Sequence, residues 1–158
     1  MAKTALEKLR TPMEVRIVDE LPGGALHWGP PGATMVISTP QEIDALVQQI
    51  PKGKLATLVT LRNAIAARHG TTITCPVTTG IFLGTVARAA EEQAMMGAKP
   101  VTPWWRVIRT DGTLNEKFPG GLVEHEKRLK AEGHTIEKRG KSKLVVADFE
   151  SKLVILQA

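Results

Sequence analysis

Apolar residues recur three to four positions apart in four stretches of the chain, which is the period of one helix face. The first stretch begins at Thr39-Pro40, where a capping residue precedes a proline at the first helical position, and it ends at Pro51. The next two cover about 59–69 and 75–96, and the last covers about 122–131. A glycine follows each of these three, as is common at helix ends. A further short helix is predicted over residues 2–10.

Runs of β-branched residues predict short strands towards both ends of the chain. Near the N-terminus the runs 13–18 and 33–38 flank a segment rich in Pro and Gly, which forces turns. The run 105–109 is interpreted as one more strand. At the C-terminus the runs 134–138 and 143–149 flank a basic turn, which is typical of a hairpin.

Short helices followed by a hairpin predict an α+β fold of the winged helix-turn-helix type. We expect residues 1–38 to form a short β-rich N-terminal extension and residues 39–158 to form the winged-helix domain. At 158 residues, the chain is long enough to bury a core without a metal or a disulfide.

The charge balance narrows the class of partner. A formal net charge of +5 favours polyanions such as nucleic acid, because each neutralised phosphate releases a counterion. A mildly basic balance also occurs in proteins that bind no nucleic acid, so charge alone leaves both possibilities open.

Cysteine and histidine usage predicts a cytoplasmic protein without a cofactor. Cys75 is the single cysteine, so no internal disulfide forms, which suits a reducing compartment. The four histidines are scattered, and neither a metal-ligand spacing nor a phosphate-binding glycine motif is present. No apolar run approaches the length of about 18 residues that a membrane span needs.

Three segments occur in an order and at spacings that point to a known family. They are the helix pair 53–90, the run Pro103-Trp104-Trp105-Arg106-Val107, and the run from Asp111-Gly112-Thr113-Leu114 through Phe118-Pro119-Gly120-Gly121-Leu122 to Glu132-Gly133-His134. Together, over about half of the chain, they resemble the C-terminal domain of the O6-alkylguanine-DNA alkyltransferases and the alkyltransferase-like proteins. The resemblance implies that this family's helix-turn-helix lies at 53–90.

The resemblance also implies that the chain is not an enzyme. Alkyltransferases have Pro-Cys-His-Arg-Val at the position of residues 103–107, so that Trp104 stands in place of the cysteine and Trp105 in place of the histidine. Alkyltransferase-like proteins typically replace that cysteine with Trp. Transfer of an alkyl group requires a thiolate, and an indole offers only an N–H donor. Cys75 precedes the recognition helix, and we interpret it as a packing residue rather than as a substitute nucleophile.

The family's base pocket corresponds to seven positions here. Phe118 stands where a stacking Tyr is frequent, and stacking contributes about 1–3 kcal/mol per base. Pro119 stands where a backbone N–H is expected, and proline has none. We therefore expect a pocket that holds a flat base by stacking, although the indoles could instead close it. The seven positions are Trp104, Trp105, Arg106, Phe118, Pro119, Gly120 and Glu132.

The family typically inserts an arginine from the recognition helix where the target base leaves the stack. The corresponding stretch 79–84 contains no arginine, and Ile81 matches best by its spacing to Gly84. An apolar wedge can also unstack bases, although Ile81 could equally be a core residue. The chain has no Tyr for the family's phosphate contact, so that role is vacant or is held by another residue such as Thr57 or Thr60. The predicted DNA contacts are Lys52, Lys54, Arg62, Arg68, Thr78, Thr79, Ile81, Lys138, Arg139, Lys141 and Lys143.

We therefore expect a non-catalytic, alkyltransferase-like protein that binds damaged double-stranded DNA. It would hold a flipped or alkylated base and signal its presence to a repair protein. The alternative is a winged-helix module whose base pocket has closed and which serves regulation or binds a protein partner.

Overall fold

The computed structural model describes residues 3–21 and 28–156, so part of the predicted Pro- and Gly-rich turn lies outside the described residues. Five α-helices cover the predicted helical stretches in this part of the chain. They are α1 (Ala5–Arg10), α2 (Pro40–Val47), α3 (Leu58–His69), α4 (Pro76–Met95) and α5 (Gly121–Ala131). The short strands are β1 (Arg16–Val18), β2 (Met35–Ile37), β3 (Ala56–Thr57), β4 (Ile73–Thr74), β5 (Val107–Ile108), β6 (Ile136–Arg139) and β7 (Lys143–Val146).

Side-chain caps begin helices α2 and α3, and the cap of α2 was predicted from the sequence. The hydroxyl of Thr39 accepts the N–H of Glu42 at the start of α2. At the start of α3, Thr57 and Thr60 each accept the other's backbone N–H, which forms a reciprocal capping box. Gly70 ends α3 in the left-handed conformation, with φ of 67°. A role of Thr57 or Thr60 in contacting a phosphate stays a prediction, because a hydroxyl that accepts one hydrogen bond can still donate another.

The N-terminal strands join the helical part of the molecule. Strand β2 pairs antiparallel with β1 and parallel with β4, which lies between α3 and α4. Helix α1 packs on α4, and the backbone N–H groups of Ala5 and Leu6 donate to the carboxylate of Glu92 at 3.2 and 2.7 Å. The described part of residues 1–38 is thus integrated with the helices, and a boundary at residue 38 stays a prediction.

Two apolar cores hold the domain together. The larger core lies where α2, α3 and α4 meet and contains Trp104, Ile43 and Val86. The smaller core lies between α5 and the C-terminal hairpin and contains Leu129 and Val146. The hairpin is the predicted wing: β6 and β7 pair antiparallel, with Ile136 opposite Val146 and Arg139 opposite Lys143. The α+β winged helix-turn-helix fold is therefore confirmed.

The strand predicted over 105–109 is partly wrong. Trp104–Arg106 forms a single 3₁₀ turn, and only Val107–Ile108 is extended, as β5, where it pairs parallel with β3. The turn follows Pro103, and it allows the buried indole of Trp104 to enter the larger core before the chain becomes extended. Within the described residues, no helix is long and apolar enough to cross a membrane.

Candidate nucleic-acid interface

Trp104 fills the interior rather than lining a pocket. Its side chain is 0% exposed, and its ring centroid lies 5.7 Å from that of Trp105 and 5.1 Å from that of Phe118. Its indole N–H donates to Glu91 of α4 at 3.0 Å, so the one polar atom of the ring is satisfied. The expectation that Trp104 stacks on a bound base is wrong for this conformation, because no part of the ring is accessible.

An ionic network that the sequence analysis missed fixes both indoles. The guanidinium of Arg128 bonds Glu91 at 2.7 Å and Glu124 at 2.9 Å. It also lies 5.3 Å from the Trp104 ring centroid and 4.8 Å from that of Trp105, within cation–π range. The signal in the sequence was the i,i+4 pair of Glu124 and Arg128 on α5, which is also typical of a solvated face.

Arg106 and Glu132 form an internal clamp. The Nε and Nη2 of Arg106 donate to the Glu132 carboxylate at 3.0 and 2.7 Å, and its Nη1 donates to the Ile50 carbonyl at 2.6 Å. Burial acts to raise the pKa of Glu132, but hydrogen bonds, those from Arg106 first among them, together with the charge of Arg106 outweigh burial and lower it. The clamp joins the end of α5 to the turn after α2, and its two side chains are unavailable to a ligand.

His125 connects three segments of the site. Its Nδ1 accepts the N–H of Asn115 at 3.2 Å, and its Nε2 lies 2.9 Å from the carbonyl of Trp105, to which it donates in the neutral form. Burial lowers the pKa of His125 to about 4, although the bond to the Trp105 carbonyl opposes this shift. The ring therefore stays neutral and holds the loop 109–118 against the 3₁₀ turn. The sequence offered no signal for this role, because a single histidine on a helix has many possible environments.

An open cleft lies between α4 and this loop, and we call it the recognition cleft. It measures about 430 Å³. The exposed apolar residues of α4 border it, since Val77 is 54% and Ile81 57% exposed. Ile81 is thus a surface residue and not part of the core. The cleft is lined by Leu58, Val77, Gly80, Ile81, Gly84, Arg88, Arg109, Asn115, Lys117 and Phe118.

A second cleft leads from there to the wing. It measures about 530 Å³, shares Leu58 and Arg109 with the recognition cleft, and reaches Lys143 on β7. The two clefts form one groove from α4 to the hairpin. Within this groove, Arg109 forms an ion pair with Glu116 at 3.0 Å.

Several predicted base-pocket residues lie away from the recognition cleft. Trp105 and Arg106 line a separate cleft beside Asp44 and Pro103, which shares no lining residue with the recognition cleft. Phe118 does border the recognition cleft, but it is only 4% exposed, which is too little to offer a whole ring face for stacking. Pro119 and Gly120 line neither part of the groove, and Gly120, with φ of 81°, begins α5.

The predicted phosphate contacts are likewise divided. The prediction that Thr79 contacts a phosphate is wrong for this conformation, because Thr79 is fully buried and its hydroxyl donates to the Cys75 carbonyl at 2.7 Å. Thr78 is half-buried beside the same carbonyl. Arg68 pairs with the buried Glu42 at 3.3 Å, which reduces its availability.

The other predicted cations are more widely spread. Lys52 and Lys54 are exposed in the turn after α2 and line neither cleft. Arg62 borders a different cleft, of about 310 Å³, with Trp28. Lys138 and Lys141 are exposed on the hairpin, and Arg139 lies 3.6 Å from Asp111.

The family of the chain is shown by a comparison with protein-family models. A family model described as the DNA-binding domain of 6-O-methylguanine DNA methyltransferase matches residues 38–134. Two solved structures are similar to this chain: S. pombe Atl1 in complex with damaged DNA containing O6-carboxymethylguanine, and S. pombe ATL in complex with DNA. Each shares 22% identity with a TM-score of 0.48, over 73% of this chain and 93% of the other. No curated protein matches the chain.

Proposed function

The chain belongs to the 6-O-methylguanine DNA methyltransferase family through its DNA-binding domain, and from this premise we propose that it binds damaged double-stranded DNA without alkyl transfer. Helix α4 enters the duplex, the recognition cleft holds the everted base, and the cations of the groove and wing contact phosphates. The bound lesion is thereby presented to a repair protein.

The observation that carries this proposal is the open recognition cleft beside an exposed apolar residue. Ile81 is a large apolar residue of α4 at the border of the cleft, and more than half of it lies in solvent. Val77, one turn earlier on the same border, is 54% exposed, and contiguous exposed apolar surface is typical of interaction sites. An isoleucine inserted between bases occupies the space that the everted base leaves and stabilises the open step.

The absence of alkyl transfer rests on the residue at the acceptor position and on Cys75. Trp104 has no nucleophilic atom, and its N–H is bonded to Glu91. Cys75 is buried in the small cluster with Leu21, Ala33 and Met35 and does not line the recognition cleft. The function is therefore recognition without reaction.

A protein-interaction module is the second candidate, and one observation favours it. An apolar groove of about 590 Å³ lies between α3 and the C-terminal segment, where Ile155 is 93% exposed. In that case the burial of Trp104 and Phe118 would reflect a base pocket that has closed.

The test is a titration of fluorescently labelled duplexes, with and without one O6-methylguanine, followed by anisotropy at two salt concentrations. We expect tighter binding of the lesion duplex. Equal, salt-sensitive binding of both would leave a plain DNA-binding protein, and no binding at low salt would favour the second candidate.

Ile81→Ala should weaken binding of the lesion duplex selectively, by about tenfold. The reason is that an isoleucine side chain gains about 1.5–3 kcal/mol on burial, and 1.4 kcal/mol corresponds to tenfold. The matched control is Val123→Ala, because Val123 is an exposed apolar residue on α5 outside the groove. An unchanged lesion preference in the Ile81 variant would contradict the wedge role.

A further inference from the structure

The recognition helix contains an arginine that reaches the cleft from an unexpected position. Arg88 lies four residues after Gly84 on α4 and lines the recognition cleft. Side chains on a helix lean towards its N-terminus, so a residue covers the turn that precedes it. The Nη1 of Arg88 lies 3.1 Å from the position that a Cβ on Gly84 would take. The guanidinium therefore lies over the glycine, at the cleft wall.

Arg88 differs from neighbouring arginines in having its donors free. Arg106, Arg109 and Arg128 each form an ion pair with a glutamate. Arg88 is exposed, and among the residues that the structure describes it has neither an ion pair nor a hydrogen-bond partner. A guanidinium offers five N–H donors in a fixed fork, so these donors are available to a ligand in the cleft.

The chemistry of the cleft indicates what such donors would bind. Leu58, Ile81 and Phe118 provide apolar contact but no hydrogen bonds. The polar edge of a base held there needs hydrogen-bond partners when water is excluded. Of the cleft's polar side chains, Arg109 is bonded to Asn115 and Glu116 and Lys117 offers a single ammonium, whereas Arg88 offers a guanidinium that is unpaired among the described residues. The arginine fork matches two acceptors on one edge, and the O6 and N7 atoms of guanine present that pair.

We propose that Arg88 reads the O6/N7 edge of an everted guanine-type base and thereby sets base preference. This inference rests on the proposed function, since the base must first leave the duplex. Gly84 contributes to this arrangement, because the lack of a side chain at position 84 leaves the space in which the guanidinium of Arg88 lies.

The test compares duplexes that carry guanine, O6-methylguanine or 2-aminopurine at one mispaired position, since 2-aminopurine lacks O6. We expect the wild-type protein to bind the guanine duplex about tenfold more tightly than the 2-aminopurine duplex. Arg88→Ala should abolish this ratio while still binding DNA, and Arg88→Lys should restore affinity more than the ratio, because an ammonium lacks the fork. Arg10→Ala, which removes an exposed arginine of α1, is the charge-matched control and should keep the ratio.

Gly84→Ala provides an independent variant that is expected to fold. Alanine favours the helix, so the Tm should rise, while the new Cβ displaces the guanidinium and lowers the ratio by a smaller factor. If Arg88→Ala weakens all duplexes equally and reduces the salt slope by about one, Arg88 contacts a phosphate and the inference is overturned. If the wild-type protein binds DNA with no base preference, the inference fails while DNA binding stands. No binding of any duplex would instead remove the proposed function.

Discussion

At the scale of single residues, burial decides which aromatic groups can meet a ligand. Trp104 is enclosed and its N–H is satisfied by Glu91, whereas Ile81 is held in solvent. Burial also decides the chemistry of His125. Its ring is enclosed between two backbone groups, so its charge state is coupled to folding. Because an imidazolium has no acceptor, it could not keep the bond from the Asn115 N–H.

The lowered pKa of His125 predicts acid sensitivity. Between its ordinary value of 6.5 and its folded value of about 4, the unfolded chain binds more protons than the folded one. Stability should therefore fall as the pH falls through this window, by about 3 kcal/mol in total for this group, and be independent of His125 above it. Urea unfolding at several pH values measures this dependence.

His125→Gln is the matched variant, because glutamine keeps a donor and an acceptor but does not titrate. It should be less stable at pH 7 and show a flatter dependence between pH 6.5 and 4. A residual slope is expected, because burial and the nearby charge of Lys152 also lower the pKa of His134. Identical slopes in the wild type and the variant would show that His125 is not the group responsible.

At the scale of elements, helix α4 is central to the domain. It packs on α1, α2 and α3, and its residues from Val77 to Arg88 border the recognition cleft. Glu91 bonds Trp104 and Arg128, and the next residue, Glu92, caps α1. Consecutive residues of one helix therefore join the N-terminal segment to the site.

Glu92→Ala should weaken the attachment of α1 to α4 and destabilise α1. The substitution removes the acceptor of two backbone N–H groups, and loss of a helix N-terminal partner costs about 0.5–2 kcal/mol. Hydrogen exchange should show faster exchange of the amides in α1, with α5 unchanged. Glu150→Ala, which removes an exposed carboxylate far along the chain, should alter neither. Unaltered protection of α1 in the Glu92 variant would indicate that apolar packing alone holds this helix.

At the scale of the whole molecule, charge is arranged along the groove between α4 and the wing. Arg88 and Lys117 lie at its helical end and Lys143 at its hairpin end. The acidic groups nearby, Glu116 and Asp111, are each paired with an arginine. A duplex lying along this groove would meet cations at both ends of the contact.

Contact with about four phosphates predicts a slope of log K against log salt near −3.6. Lys143→Ala should make the slope shallower by about one and weaken lesion and intact duplexes equally, because phosphate contacts carry no base information. Lys127→Ala, on the exposed face of α5, is the control and should leave the slope unchanged. A slope near zero for the wild-type protein would exclude a phosphate-dominated interface.

Much of the fold could be predicted because its signals are local. Thr39 and Pro40 begin α2, Gly70 ends α3, and alternating residues around a basic turn form the wing. The strand expected at 105–109 was partly wrong because a Trp–Trp–Arg run fits an extended segment as well as a 3₁₀ turn. Of the residues predicted for the site, Ile81 and Phe118 border the recognition cleft, whereas Trp105, Arg106 and Thr79 do not line it, and their roles towards a ligand stay predictions.

The sequence by itself determined the approximate positions of the helices and the wing, because each depends on residues that are adjacent or a few positions apart. Only the tertiary structure decided that the indole of Trp104 is enclosed, that the open cleft lies beside Ile81, and that Arg88 reaches it. These features depend on contacts between distant segments, such as Glu91 with Trp104 and Arg128. Such contacts leave no periodic trace in the chain, since burial of a side chain is a property of everything packed around it.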